Sequence, residues 1–198
     1  MLGKAAVAMW WDIAADVRAD WEEWHTVEHM PERLGIPGFL RGSRWVGLAD
    51  EGTYFVCYET AEVDTVMTGP YLERLNNPTP WSQRMMPHHR NMTRSLCEVR
   101  ASYGRGLAYA MATVRFSGAL PPLPRLRGVT GAALLESKPP QGGPTAEQKM
   151  RGGMDPSADK VLLIAGHDVQ AVGQAAREAA PAGATLGLYR LSYSLSRP

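Results

Sequence analysis

One short segment of the chain concentrates the residues that could transfer protons. Glu28 and His29 are adjacent, and His25 lies four positions before His29. On a helix, positions three and four apart share a face, so this spacing brings the two imidazoles and the carboxylate close together. Burial disfavours the charged form of each group, and a histidine or glutamate near neutrality can exchange a proton with a bound molecule. We therefore predict that His29 and Glu28 act as acid and base, with His25 as a third catalytic residue.

The same residues allow other interpretations. Residues 25–29 read His-x-x-Glu-His, which matches a zinc-protease motif that needs a third ligand from elsewhere in the chain. His25 could serve only in packing or capping, and Glu28 could form an ion pair with Arg33, Arg41 or Arg44. A haem site is permitted by the sequence but not indicated. We expect neither a metal nor a cofactor.

The residues predicted to line a ligand pocket are aromatic or basic. An arginine between positions 41 and 44 could hold an anionic or enolate oxygen of a substrate. Aromatic rings belong more often to the core, but half of an alternating strand must face the helices, so some rings should line a cavity. The predicted ligand-binding residues are Trp24, Arg33, Arg41, Arg44, Trp45, Tyr54, Tyr58 and His88.

Composition argues against several classes of function. The 198 residues include 21 Lys and Arg and 20 Asp and Glu, a net charge of +1 without a basic run, so we expect no nucleic-acid partner. Cys57 and Cys97 occur without a partner motif, which argues against a disulfide framework. No segment approaches the ~20 apolar residues that span a bilayer. We expect a cytoplasmic protein that binds a small molecule, has no membrane partner and can pair as a homodimer.

The first half of the chain alternates strands and helices in a familiar order. An apolar strand is predicted over residues 4–13, followed by a helix from about Asp16 to Met30 that Pro31 should terminate. A hairpin follows over residues 38–48 and 53–59, then a helix over 62–75 and a strand over 94–104. Strand, helix, strand, strand, helix, strand is the ferredoxin-like order.

The second half repeats this pattern without its first helix. Strands are predicted over residues 107–116, 128–136, 160–166 and 185–194, with a helix over 169–180. Three prolines within residues 117–124 forbid a helix after the first of these strands. We therefore predict two ferredoxin-like halves, 1–104 and 105–198, the first carrying the site. Residues 137–159 should form a mobile loop that can act as a lid.

Motifs spread over about residues 4–100 resemble the dimeric α/β-barrel superfamily, closest to its EthD-like and stress-responsive branches. The matching residues are Asp12, Trp24, Glu28, His29, 31–34, 37–41, Tyr54, Tyr58 and Glu59. The resemblance implies an α+β fold in which two ferredoxin-like units pack sheet to sheet. It also implies a small-molecule pocket between the sheet and the helices of a unit, and a tandem copy would form the barrel within one chain.

The resemblance leaves two classes of function open. Relatives of this superfamily include monooxygenases, isomerases, lyases, polyketide cyclases and haem-handling proteins, so the fold does not name a reaction. We expect a small cofactor-independent enzyme that performs proton transfer on an aromatic or carbonyl compound, as a lyase, isomerase, cyclase or oxygenase. The alternative is a non-catalytic binding or stress-related barrel whose helix motif only stabilises the fold.

Overall fold

The structure, a computed structural model, describes residues 1–139 and 143–197. Its strands are β1 (Ala5–Asp12), β2 (Phe39–Gly47), β3 (Thr53–Thr60), β4 (Arg90–Tyr103), β5 (Ala110–Phe116), β6 (Val129–Ser137), β7 (Lys160–Gly166) and β8 (Thr185–Ser196). Its α-helices are α1 (Arg18–Trp24), α2 (Met30–Leu34), α3 (Gly69–Asn76), α4 (Pro80–Met85), α5 (Ala146–Met150) and α6 (Val169–Ala179). Short 3₁₀ segments cover Val63–Met67 and Met86–His88.

The eight strands form one closed antiparallel barrel in the order β1-β3-β2-β8-β5-β7-β6-β4. The first four strands are ordered β4-β1-β3-β2, and the last four have the equivalent order β8-β5-β7-β6. The two groups join where β2 pairs with β8 and β4 pairs with β6. The predicted α+β fold with an intrachain barrel is confirmed, whereas the division into units at residues 104 and 105 stays a prediction.

Alternation along the strands separates an inner and an outer core. Trp10, Trp45 and Phe55 pack together inside the barrel. Trp11, Val56 and Tyr58 belong to a different cluster, together with Trp21 and Trp24 of α1 and other helical residues. Successive side chains of a strand point to opposite faces of a sheet, so neighbouring residues such as Trp10 and Trp11 belong to different cores.

The helical path does not end at Met30, so the prediction that Pro31 terminates it was wrong. A π-helical turn at His25–His29 links α1 to α2, and the N–H of Met30 donates to the carbonyl of His25, five residues earlier. Proline lacks an N–H, and its ring would collide with a carbonyl of a regular α-helix. The wider turn before Pro31 relieves this conflict and lets the helix continue to Leu34.

The connections differ from the prediction at two places. Residues 80–88, for which no helix or strand was predicted, form α4 and a 3₁₀ turn, and β4 begins at Arg90 instead of Arg94. In the predicted loop 137–159, α5 forms because Thr145 and Gln148 make a capping box; residues 140–142 of that loop lie outside the described residues.

Residues 117–128 contain no helix, as their prolines predicted. Within the described ranges, no helix has the length and hydropathy needed to cross a membrane.

Candidate functional site

A cavity of about 370 Å³ lies between the outer face of the sheet and the helices of the first half. Ligand pockets of small molecules begin at about 300 Å³, so the cavity can hold a compact ring system. Residues from three parts of the chain line it. From the sheet come Met9, Trp11, Tyr58, Met92, Arg94 and Leu96. From the helices of the first half and the residue that precedes β4 come His25, His29, Arg33, Tyr71, Leu72 and His89, among others. From the segment after β6 come Lys138, Thr145, Glu147, Arg151 and Asp155, among others.

Three histidines with low exposure line this cavity: His25, His29 and His89. Burial is the main cause that lowers the pKa of each ring, since a charged imidazolium loses its hydration there. Positive neighbours act in the same direction, chiefly Arg44 on His25, Arg33 on His29 and Arg151 on His89. The pKa of His89 falls to about 3. All three rings are therefore neutral at pH 7.

The hydrogen bonds of His89 leave it no free ring nitrogen. Its Nδ1 lies 3.0 Å from the carbonyl oxygen of Met86, so this nitrogen carries the proton and donates. Its Nε2 accepts from the indole N–H of Trp21 at 3.2 Å. With both nitrogens engaged in a neutral tautomer, His89 forms part of the wall.

His25 and His29 differ from His89 in this respect. The Nδ1 atoms of both rings are enclosed, and neither has a hydrogen-bond partner among the described residues. The two rings lie 5.5 Å apart, and the His29 ring packs 4.5 Å from that of Trp24. Because Nδ1 is enclosed, proton exchange with a molecule in the cavity must use Nε2. His29 is 8% exposed and His25 only 1%, so His29 is the more accessible of the two.

The structure places Glu28 outside the cavity lining. Its Oε1 accepts hydrogen bonds from the Trp24 indole at 3.1 Å, the Thr79 hydroxyl at 2.5 Å and the Ser82 hydroxyl at 3.4 Å. These contacts tie the helix of residues 18–34 to α4, which Thr79 caps. The structure therefore brings Glu28 neither to a proton shared with His29 nor, in the described part of the chain, to an ion pair with an arginine.

Arginines supply the charge of the cavity. Arg33 forms ion pairs with Glu147 of α5 and, at 3.2 Å, with Glu32. Arg151 pairs with Asp155 at 2.8 Å. The segment that follows β6 therefore closes the cavity with buried ion pairs. Tyr58 adds a hydroxyl without a partner in the described residues, and burial raises its pKa, so it remains a phenol.

Of the predicted ligand-binding residues, Arg33 and Tyr58 line the cavity with His25 and His29. Trp24 lies behind His29. Arg44 donates to the Glu22 carbonyl and lies over the rings of Trp21 and Tyr193, while Tyr54 donates to the Glu22 carboxylate at 2.7 Å. None of these three is among the residues that line the cavity.

Arg41, Trp45 and His88 are placed away from the expected pocket. Trp45 packs inside the barrel, and Arg41 pairs with Glu59 at 2.5 Å beside a much smaller cleft of about 40 Å³. Odd-numbered residues of this part of β2 face inward, whereas Arg44 faces the helices. His88 belongs to the 3₁₀ turn, and its neighbour His89 lines the cavity instead.

Sequence reasoning missed several polar residues of the lining, among them Arg94, Glu147, Arg151 and Asp155. Arg94 could have been found, because alternation along β4 puts it on the same face as Met92 and Leu96. Glu147, Arg151 and Asp155 come from a distant connection, and no local pattern indicates that it folds over the first half. Within residues 1–139 and 143–197, no group of three or more His, Cys, Asp or Glu side chains is arranged to hold a metal ion.

Known structures share this architecture at low sequence identity. An anthrone oxidase-like protein superposes with a TM-score of 0.60 at 11% identity, over 97% of this chain and 92% of the other. A putative monooxygenase from Fusobacterium nucleatum subsp. nucleatum ATCC 25586 gives 0.57 at 9% identity, over 99% and 96% of the two chains. A putative monooxygenase from Lactobacillus acidophilus NCFM gives 0.57 at 6% identity, over 98% and 97%.

These likenesses establish the fold alone. No family model matches the chain, and no curated protein matches it at a significant level.

Proposed function

We propose that this protein is a small-molecule enzyme in which His29 accepts a proton from a substrate held in the cavity, without a cofactor. The observation that supports it is a neutral imidazole, that of His29, in the wall of a cavity lined by both apolar and charged residues. A neutral ring can act as a base at pH 7, and the enclosed Nδ1 leaves Nε2 to receive the proton. His25, 5.5 Å away, is the second candidate for the same role.

The charges favour proton transfer only when a substrate is present. In the free protein, Arg33 lies close enough to His29 to disfavour its protonated form. When a proton leaves a weakly acidic substrate, the product is an anion next to an imidazolium, and the two opposite charges attract each other. The low dielectric of the cavity strengthens this attraction. Glu28 has no part in this proposal, because its carboxylate is engaged elsewhere.

The walls indicate the kind of substrate. Met9, Trp11, Tyr58 and Leu96 present apolar and aromatic surface from the sheet, which suits a small aromatic or carbonyl compound. Among lyase, isomerase, cyclase and oxygenase chemistry, the names of the similar structures favour oxygenation. With anthrone, His29 would remove a proton from the methylene carbon and O₂ would add to the carbanion. The His29 imidazolium would return its proton to the peroxide anion, and the resulting hydroperoxide would lose water to give anthraquinone.

A non-catalytic binding protein is the second candidate. One observation favours it. An active-site histidine commonly has a hydrogen-bond acceptor at Nδ1 that orients its ring, but among the described residues neither His25 nor His29 has one. The EthD-like or stress-responsive assignment, the cytoplasmic location and the homodimer stay predictions.

The test is oxidation of anthrone, followed by anthraquinone absorbance and by an oxygen electrode. Wild type should exceed the protein-free rate, and His29→Gln should return it to that rate while unfolding at nearly the wild-type temperature. His167→Gln, which changes an exposed histidine, should behave as wild type.

Anthrone is one compound, so bound 4-nitrophenol provides a second readout. Its absorbance should show the phenolate in wild type at a pH where the free compound is largely neutral, and His29→Gln should abolish this shift. A phenol that binds but stays neutral, together with no anthrone turnover, would leave the binding protein as the better account.

A further inference from the structure

Arg94 lines the cavity from β4, and no described residue forms an ion pair with it. Its Nη2 donates to the hydroxyl of Tyr71, on α3, at 3.1 Å. In the described part of the chain, no carboxylate oxygen lies within 4.0 Å of its guanidinium. The side chain is only partly exposed, because the cavity and the segment after β6 cover it. Pro156 of that segment accepts a hydrogen bond from the Arg94 backbone at 2.8 Å.

The other cations of the cavity are already neutralised. Arg33 is paired with Glu147, and Arg151 with Asp155. At the rim, Lys138 contacts Glu98 at 2.8 Å. The two carboxylates that line the cavity, Glu147 and Asp155, are therefore in direct contact with other arginines. Among the described residues, Arg94 is the cation of the lining that has no carboxylate within 4.0 Å.

Asp155 and Glu147 attract this guanidinium from beyond 4.0 Å, but neither forms a hydrogen-bonded pair with it, so its donors are open to an incoming anion. A guanidinium fork matches the two oxygens of a carboxylate and binds them in parallel. The Tyr71 hydroxyl, which accepts from Arg94, still has its own proton to donate to the same group. Arginine and tyrosine together therefore present donors suited to a carboxylate.

We propose that Arg94 and Tyr71 form a carboxylate-binding site, so that the substrate of this cavity is a small aromatic carboxylic acid. That the bound acid is a substrate rests on the proposed function, whereas the binding site itself does not. The carboxylate fixes one end of the molecule on β4 and α3. The rest of the molecule lies against the apolar wall, within reach of the histidine-bearing helix.

The test compares 2-naphthoate with 2-naphthamide, which has nearly the same shape and no charge. Titration calorimetry should show wild type binding the acid about 10- to 100-fold more tightly, the range expected for a hydrogen-bonded charge pair. Arg94→Gln should remove this preference, and Arg94→Lys should retain only part of it. Arg90→Gln, which removes an exposed arginine from the same strand, should keep the full preference.

Stability separates loss of the site from loss of the fold. Arg94→Gln should unfold at nearly the wild-type temperature without ligand, because Arg94 has no close ion pair to lose. Naphthoate should raise the melting temperature of wild type and of Arg90→Gln, but not that of Arg94→Gln. Failure of naphthoate to bind wild type, equal affinity for the acid and the amide, or a preference that persists in Arg94→Gln would each overturn the proposal.

His29→Gln makes this inference separable from the proposed function. It should retain the preference for naphthoate while losing proton transfer. If naphthoate binds through Arg94 but the wild-type protein neither oxidises anthrone nor ionises bound 4-nitrophenol, the proposed function fails and the carboxylate site stands. If anthrone is oxidised but naphthoate and naphthamide bind equally, the site fails and the proposed function stands.

Discussion

Acidification should destabilise this protein between pH 7 and pH 5.5, before most carboxylates titrate. His25, His29 and His89 have pKa values below that of an unfolded-chain histidine, chiefly because burial penalises their charged forms. Below about pH 6.5 the histidines of the unfolded chain bind protons that these histidines do not bind in the folded protein. The stability of the folded protein therefore falls as the pH falls. At pH 7 and above, this penalty almost vanishes.

The size of the effect follows from the number of neutral rings. A histidine that stays neutral in the folded state costs about 1.2 kcal/mol between pH 7 and pH 5.5, so three cost about 4 kcal/mol. Domains are stable by about 5–15 kcal/mol, so this loss is a large fraction of the total. Glu32 opposes the trend slightly, because burial raises its pKa and the folded state then gains a proton more readily.

Urea unfolding at the two pH values, monitored by tryptophan fluorescence, measures this loss. In His29→Gln the difference between the two free energies should shrink by about a third, since one of three neutral rings is gone. His167→Gln, which changes an exposed histidine outside the cavity, is the control and should leave the difference unchanged. Equal stability of wild type at pH 7 and pH 5.5 would refute the claim that the cavity holds neutral histidines.

Two further predictions concern the walls of the cavity. Glu147→Gln should lower the free energy of unfolding in urea by about 3 kcal/mol, because it leaves the buried Arg33 with Glu32 as its remaining carboxylate partner. Its control is Glu62→Gln, which breaks an exposed pair with Lys4 and should change stability little. Equal losses in the two variants would contradict this prediction. Gly42→Ala should cost about 1–3 kcal/mol, since its Cβ would lie 2.9 Å from Met30 Sδ and from Tyr58 Cε1. Its control is Gly106→Ala, whose Cβ would have no atom within 4 Å. An unchanged stability of Gly42→Ala would contradict the prediction, since it would show that Met30 and Tyr58 move aside without cost.

Much of the fold could be predicted from the sequence because strand patterns are local. The run of residues 4–13 and the hairpin of residues 38–59 appear as β1, β2 and β3 with small shifts at their ends. The effect of Pro31 was misjudged, because the rule for residues before proline describes a regular α-helix. A π-turn depends on packing around His25 and His29, which no local pattern reveals.

The site could be predicted only in part. The segment 25–33 does contribute His25, His29 and Arg33 to the cavity, since helical spacing places them on neighbouring faces. The position of Glu28 depends on contacts with Thr79 and Ser82, about fifty residues later in the chain. Arg41 and Trp45 were assigned to the pocket although the sequence does not show whether the odd- or the even-numbered residues of β2 point into the barrel. A shift of the strand by one residue moves every side chain to the opposite face of the sheet.

The measurement that tests the central claim most directly is ¹⁵N NMR of the histidine side chains, with His29 assigned by comparison with His29→Gln. At pH 7 the free protein should give His29 the nitrogen shifts of a neutral imidazole. On addition of 4-nitrophenol, both nitrogens should move to imidazolium values as the phenol becomes phenolate. A His29 that is already charged in the free protein, or one that stays neutral when the phenol is bound, would contradict its role as the proton acceptor.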